Sequence, residues 1–285
     1  MSKMQPFFKQ VQSHYDLSDE FFELFLDPTR TYSCAYFEDP EATLEQAQMA
    51  KIDLSLRKCE LSPGMQLLDI GCGWGATAVR AAEKYGARVI GLTLSENQYQ
   101  YCTRRAQELS LSDSVQFHLQ GWEEFNDPVD RIVSIGAFEH FRNSRHEAFF
   151  QRCREILPSD GIMMLHSIVT TSLADLREQD IPYTQEDVRF ARFIRDEIFP
   201  GGQLCAPDRI RSFAERCGFE VYHEQSLRLH YARTLDIWAE SLAAAREEAI
   251  ALTSQTVYDR YRKYLTGCAE QFRKGLIDVM QFCMR

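Results

Sequence analysis

The chain has 285 residues, with 32 Lys and Arg against 42 Asp and Glu, for a net charge of −10. That acidity argues against a nucleic-acid protein, whose phosphate contacts need a basic stripe, and no run of about 18 apolar residues offers a membrane-spanning helix. Nine cysteines stand singly, without the C-x-x-C or Cys/His spacing of a metal site, and their odd number leaves a disulfide set incomplete. With no apolar signal core in Met1 to Phe8, a reducing cytoplasm is the expected location.

Taken in chain order, about the first 60 residues read as a helical cap, dense in Phe21, Phe22, Leu24, Phe25 and Leu26. Ser62-Pro63-Gly64 turns the chain into a strand at about 66–70. The run Leu67-Leu68-Asp69-Ile70-Gly71-Cys72-Gly73-Trp74-Gly75 then leads into a helix at about 76–85. Strand, glycine turn and helix in that order build a nucleotide pocket. Glycine lets the backbone turn tightly and approach a ligand, and the helix start presents unpaired N–H groups. Further strands are expected at about 88–93, 115–119, 129–135 and 161–169, with helices at about 95–109 and 144–156. Such alternation predicts an α/β fold with a parallel sheet. Ser95 is placed to cap the second of these helices. The stretch 170–206 is too long for a bare connection and predicts a helical lid or substrate element. Helix is predicted again from about Arg233 to Phe272. The parse is a single domain over 1–285. It comprises a cap (about 1–60), a nucleotide-binding core (about 61–169), an insertion (about 170–206) and C-terminal strands and helices (about 207–285).

The glycine turn has two ligand readings. Gly71-Cys72-Gly73-Trp74-Gly75-Ala76 also satisfies the looser dinucleotide pattern, which wants an acid at the end of the second strand to hold a ribose. Thr93 stands there instead, and Glu96 arrives only in the next helix. The methyl donor S-adenosylmethionine is therefore the preferred ligand. A glycine turn with no ligand is the bland alternative. By residue type alone, His166 reads as a hydrogen-bonded core histidine, Glu139 as a helix-start or surface acid, and Tyr231 as packing. Trp122 reads as an adenine platform or as core. Arg189, Arg192, Arg195, Arg209, Arg211 and Arg216 form either a solvated helix face or a docking patch.

Several segments carry a wider likeness: His14-Tyr15-Asp16-Leu17-Ser18, Thr31-Tyr32-Ser33-Cys34-Ala35-Tyr36-Phe37, Leu67 to Gly75, and Gly91-Leu92-Thr93-Leu94-Ser95-Glu96-Asn97-Gln98. They continue with Ser134-Ile135-Gly136-Ala137-Phe138-Glu139-His140, Glu197-Ile198-Phe199-Pro200-Gly201-Gly202 and Tyr264-Leu265-Thr266-Gly267-Cys268-Ala269. Together they resemble the mycolic acid cyclopropane synthase family, relatives of cyclopropane-fatty-acid synthase. The resemblance implies a seven-stranded, Rossmann-like class I methyltransferase sheet with added N-terminal helices and a helical lid. It implies methyl transfer from S-adenosylmethionine to a cis alkene of a very long acyl chain carried on acyl carrier protein, then ring closure by proton loss to bound bicarbonate. The bicarbonate cage it implies is Cys34, Ile135, Glu139, His166 and Tyr231, and it adds Cys268 as an active-site residue. Cys268 also has a plain reading as a buried inert thiol, because the chemistry needs no covalent nucleophile. The implied donor site comprises Tyr32, Ser33, Leu67 to Gly75, Thr93, Leu94, Ser95, Glu96, Asn97, Gln98, Trp122 and Glu123. Gln98 would take the ribose in place of the missing acid. No metal is implied, and peripheral membrane contact is allowed. An acidic carrier would need a local positive area, for which 189–216 is the expectation. Rival readings are a water quench giving a methyl-branched alcohol, a lipid- or donor-binding protein without catalysis, and a small-molecule methyltransferase. The last arises because 170–206 departs most from the family pattern.

Overall fold

A computed structural model describes Pro6 and residues 18–285; the segment His14 to Leu17 lies outside the described residues. Seven strands form one sheet, β1 (Gln66–Ile70), β2 (Arg88–Thr93), β3 (Val115–Leu119), β4 (Arg131–Ile135), β5 (Ile162–Thr170), β6 (Val221–Ser226) and β7 (Ile277–Met284), in the order β3-β2-β1-β4-β5-β7-β6. The first five are mutually parallel, whereas β7 runs antiparallel between β5 and β6. This is a class I methyltransferase sheet. Its central strands are apolar on both faces, as a sheet covered on both sides by helices requires. The order reverses between β1 and β4, and that switch point opens a crevice at the carboxyl ends of the strands.

Helices α1 (Asp19–Glu23) and α2 (Leu44–Lys58) precede the sheet, and α3 (Ala76–Tyr85), α4 (Glu96–Glu108) and α5 (His146–Ile156) connect its parallel strands. Gly75 starts α3 at φ +82, where an added Cβ would come within 2.9 Å of Phe117, so only glycine lets the turn and helix approach so closely. Ser95 caps α4 through the Gln98 N–H, as its position predicts. The expected strands and helices of the core agree with these ranges to within two residues.

Two expectations need correction. Among the described residues of the N-terminal region helix is confined to α1 and α2, and between them the chain runs as turns and extended backbone. Pro28 forbids a helix through Asp27, and the Asp27 carboxylate instead accepts the N–H groups of Thr29 and Thr31. The helix expected over 233–272 begins earlier and is three helices, α9 (Arg228–Ala244), α10 (Arg246–Leu252) and α11 (Gln255–Lys274). Ser254 caps α11 through the Val257 N–H and so restarts the chain there. Between β5 and β6 lie α6 (Leu173–Glu178), α7 (Gln185–Phe193), a π turn (Ile194–Ile198) and α8 (Pro207–Arg216). Ser172 and Thr184 cap α6 and α7, each with an acid three residues on.

Candidate active site

Two cavities meet at the switch point and share Gly136 and His140 in their walls. The smaller, about 90 Å³, lies against the glycine turn and the ends of β1, β2 and β4. Ile70, Gly71, Gly73, Thr93, Leu94 and Gln98 line it, with Trp122 and Glu123 opposite. Gly71 stands at φ +81, and a Cβ there would fall 2.3 Å from that of Ala137, which explains why the turn needs glycine. The Gln98 carbonyl accepts the Thr93 hydroxyl at 2.9 Å, which turns its amide N–H groups elsewhere. Glu123 accepts Arg145 through Oε1 at 2.8 Å. Its Oε2 and the Trp122 indole nitrogen are buried without a partner among the described residues, and burial raises the Glu123 pKa. Beneath the turn, Asp69 keeps an unpartnered Oδ2, and burial pushes its carboxyl up to about 7 against the opposing charge of Lys51.

The larger cavity, about 290 Å³, takes its walls from residues as far apart as Tyr32 and Val279. Glu139 enters it from the 3-10 turn after β4, His166 from β5, Tyr231 from α9, Cys268 from α11, and Cys34 from the loop before α2. Glu139 Oε1 accepts the Ile168 N–H at 2.6 Å, while Oε2 is buried without a partner. Burial lifts this carboxyl to about 7, although the Ile168 N–H opposes the shift. The Gln203 N–H donates to the Glu139 carbonyl at 2.8 Å and ties the loop after the π turn to the same residue. His166 meets the Gln281 amide through Nδ1 at 3.3 Å, and its Nε2 has no partner. Burial, then Lys51 and Lys58, hold the ring well below its ordinary pKa, so it is neutral. Burial raises Tyr231 and Cys268, so both stay protonated at neutral pH. That disfavours Cys268 as a thiolate nucleophile.

Aromatic rings crowd the inner end. The Tyr32 hydroxyl donates to that of Tyr264 at 3.1 Å, Tyr32 packs 5.4 Å from Trp238, and Phe199 meets Tyr264 edge-on at 5.5 Å. Farther out, Phe190 and Ile194 line the wall. Gly267 allows α11 to pass Phe190 closely, since a Cβ there would lie 2.2 Å from the ring.

Not every predicted site residue reaches a cavity. Leu67 and Leu68 are core residues of β1. Cys72, Trp74, Gly75, Ser95, Glu96 and Asn97 shape or cap the turn without lining the smaller cavity. Trp74 and Asn97 both donate to Asp19. Tyr32 and Ser33 line the larger cavity, not the smaller one, and Ile135 stands beside His166 in the β4–β5 register without lining either. Sequence reasoning missed Lys51, which is buried and donates to the Ser33 hydroxyl at 2.8 Å. Burial lowers its pKa to about 8. Gln48 likewise donates to the Ser33 carbonyl at 2.8 Å. A polar residue recurring on the inner face of α2 was the available signal.

The family profile described as mycolic acid cyclopropane synthetase matches residues 2–282. Cyclopropane mycolic acid synthase 3 of Mycobacterium tuberculosis is 56% identical over 282 residues, which cover 99% of this chain and 98% of that protein. The S-adenosylmethionine-dependent methyltransferase UmaA of the same organism is 54% identical over 284 residues, covering 100% and 99%. The crystal structure of mycolic acid cyclopropane synthase CmaA1 complexed with SAH and CTAB superposes with a TM-score of 0.96, at 53% identity and 99% coverage of both chains. With this match along nearly its whole length, the chain belongs to the mycolic acid cyclopropane synthetase family and is an S-adenosylmethionine-dependent methyltransferase.

Proposed function

We propose that this enzyme cyclopropanates a cis double bond in a very long acyl chain, with the methyl donor in the smaller cavity and the alkene in the larger. The observation that carries the reading is a pair of buried atoms without a hydrogen-bond partner among the described residues, Glu139 Oε2 and His166 Nε2, on two residues that line the cavity sharing a wall with the smaller one. The relative CmaA1, crystallised with SAH and CTAB, supports assigning a nucleoside ligand and a long-chain ligand to these two cavities. When bound, S-adenosylmethionine supplies an electrophilic methyl group on a sulfonium. Trp122 would give the adenine an aromatic face, Glu123 would accept an amino hydrogen, and Gln98 would address the ribose, all three being lining residues of the smaller cavity. Gly136 and His140 bound the passage between the cavities, where the alkene must approach. Holding weak nucleophile and donor in line there can lower a barrier by about 7–11 kcal/mol.

The alkene π electrons would form the new carbon–carbon bond as the donor's methyl–sulfur bond breaks, with the sulfur keeping that electron pair and leaving as a neutral thioether, and a carbocation would remain on the acyl chain. The faces of Tyr32, Tyr264 and Phe199 can stabilise such a cation by about 0.5–2 kcal/mol each when water is excluded. Ring closure then takes the electrons of a C–H bond of the added methyl, and the proton must leave. Glu139 and His166 fit an anion that carries its own hydroxyl, because one presents a bare carboxylate oxygen and the other a bare ring nitrogen. Bicarbonate, held by Glu139, His166 and Tyr231 with backbone N–H groups at Cys34 and Ile135, would supply the proton-accepting oxygen at this point. Glu139, near neutrality in its pKa, can hold the released proton and pass it on.

For the carrier we propose a basic rim at the cavity mouth. Arg195 pairs with Asp196, Arg211 with Glu224 and Arg216 with Glu147, but exposed Arg189 and Arg192 make no salt bridge among the described residues. They sit one turn apart on α7, beside the wall residues Phe190 and Ala191. Nine free thiols support a reducing, cytoplasmic setting. A second outcome has support in Leu204, which lines the larger cavity while 37% exposed and so gives solvent a route to the cation. Incubating the enzyme with S-adenosylmethionine and an unsaturated acyl-carrier substrate, then weighing the product, tests the reading. A gain of CH₂ with loss of the alkene is expected. A further gain of water identifies the methyl-branched alcohol, and unchanged alkene overturns both.

A further inference from the structure

His166, Gln281 and Gln225 lie in one row across three strands: His166 of β5 faces Gln281 of β7, which faces Gln225 of β6. The inner face of α2 covers this row with Ser55 and Lys58. Lys58 Nζ donates to Gln281 Oε1 and to Gln225 Oε1, both at 2.6 Å. Gln281 Nε2 donates to Ser55 Oγ at 3.0 Å and faces His166 Nδ1 at 3.3 Å. The Ser55 hydroxyl in turn donates to the Lys51 carbonyl at 2.9 Å. Ser55, His166 and Gln281 are all buried.

These contacts leave little freedom. An ammonium has only donors, so the Gln281 atom toward Lys58 must be the oxygen. The Ser55 proton is committed to Lys51, so the atom of Gln281 facing Ser55 must be the donating nitrogen. Two independent neighbours therefore orient the amide the same way, and it presents N–H to His166 Nδ1. A neutral imidazole carries one proton. With Nδ1 accepting, that proton belongs on Nε2, the nitrogen without a partner among the described residues, on a residue that lines the larger cavity.

We propose that Lys58 and Gln281 are positioning residues that fix His166 as the Nε2–H tautomer and so make it a hydrogen-bond donor to the anion in the cavity. His166 then binds and orients, and the proton released in ring closure goes to Glu139 alone among the two. The use of this donor rests on the bicarbonate reading above; the tautomer does not. Gln281→Glu replaces the donor to Nδ1 with a carboxylate, which accepts from Nδ1 and draws the ring proton there. Lys58→Met, on the partly exposed rim of α2, removes the charged anchor and leaves only the Ser55 hydroxyl, a rotor that can swing from the Lys51 carbonyl to donate to a turned Gln281 amide, and Lys58→Arg restores the anchor.

The test is ¹⁵N spectroscopy of the histidine-labelled full-length enzyme, with turnover measured against added bicarbonate. In the parent protein Nε2 should be the protonated nitrogen of His166. In Gln281→Glu the proton should move to Nδ1, the half-saturating bicarbonate should rise about 10- to 100-fold, as for other residues that orient a ligand-holding histidine, and affinity for S-adenosylhomocysteine should hold. Lys58→Met should populate both tautomers and Lys58→Arg only the parental one, a pattern that loss of packing would not produce. Protonation of Nδ1 in the parent, or an unchanged tautomer in both Gln281→Glu and Lys58→Met, overturns the proposal. A parental Nε2–H with turnover indifferent to bicarbonate upholds the tautomer assignment and removes the bicarbonate reading instead.

Discussion

The two cavities are built by opposite means. The smaller is gathered from three short stretches at 70–73, 92–98 and 120–123 plus the turn after β4, with glycine at 71, 73, 121 and 136, so that backbone forms part of its wall. The larger is bounded by side chains drawn from the N-terminal loop, β5, the inserted helices and the two long C-terminal helices. A backbone-walled site requires glycine at fixed positions and tolerates little else. A side-chain-walled site asks of most positions only that they be apolar and of suitable size. The proposed chemistry of the larger cavity therefore depends on very few residues, while much of its wall can vary with the ligand.

Substitutions that break one cavity and spare the other sharpen this contrast. The largest effect is expected of Glu139→Gln, which removes the carboxylate proposed to handle the proton and should lower turnover about 10²–10⁴-fold, with S-adenosylhomocysteine affinity unchanged by calorimetry. The same variant has a second signature. Burial raises the folded-state pKa of Glu139 from 4.5 to about 7, so the folded protein binds this proton more tightly than the unfolded chain. Stability must then fall as pH rises between those values and stay level above them. Glu139→Gln should therefore be more stable than its parent at pH 8, by up to about 3 kcal/mol, and equal to it near pH 4. Turnover of the parent should rise with pH through about 7, as the carboxylate becomes free to accept a proton.

Gly71→Ala reverses the selectivity. At φ +81 with Ala137 in the way, strain of about 1–3 kcal/mol should weaken donor binding about 10- to 100-fold, leaving long-chain detergent binding in the larger cavity intact. Gly267→Ala should drive the Phe190 ring into the larger cavity. Its expected result is a shorter maximum acyl length in competition assays at unchanged donor affinity. The smallest effect belongs to Arg189→Glu with Arg192→Glu. Exposed charges contribute about 1 kcal/mol or less each, so carrier affinity should drop several-fold at low salt and converge with the parent at high salt. Identical affinities at low salt would remove α7 as the docking surface.

The contrast also explains what was legible in the sequence. The glycine turn, its flanking strand and helix, and the Ser95 cap could be read from residue type because backbone geometry leaves few alternatives. Thr93 in place of an acid was informative for the same reason: one position at a strand end decides which ribose contact is available. Glu139, His166 and Tyr231 were opaque by pattern, since each is an ordinary residue for its element, and only family resemblance singled them out. Lys51, Lys58 and Gln281 were opaque even to that. Those of Lys58 and Gln281 arise where α2 crosses β5 and β7, a packing between segments more than 100 residues apart, and that of Lys51 where α2 meets the loop at Ser33. The missed ends of the N-terminal and C-terminal helices have local causes, Asp27-Pro28 and Ser254, whose side chains compete with helical hydrogen bonds.

The central claim is that a methyl group crosses from one cavity to the other and there surrenders a proton while shielded from water. Supplying S-adenosylmethionine deuterated throughout its methyl group, with an unsaturated acyl-carrier substrate, tests it by mass. The product should contain a ring carbon that has lost one deuterium, no alkene and no added oxygen. Retention of every deuterium together with a hydroxyl group would contradict it.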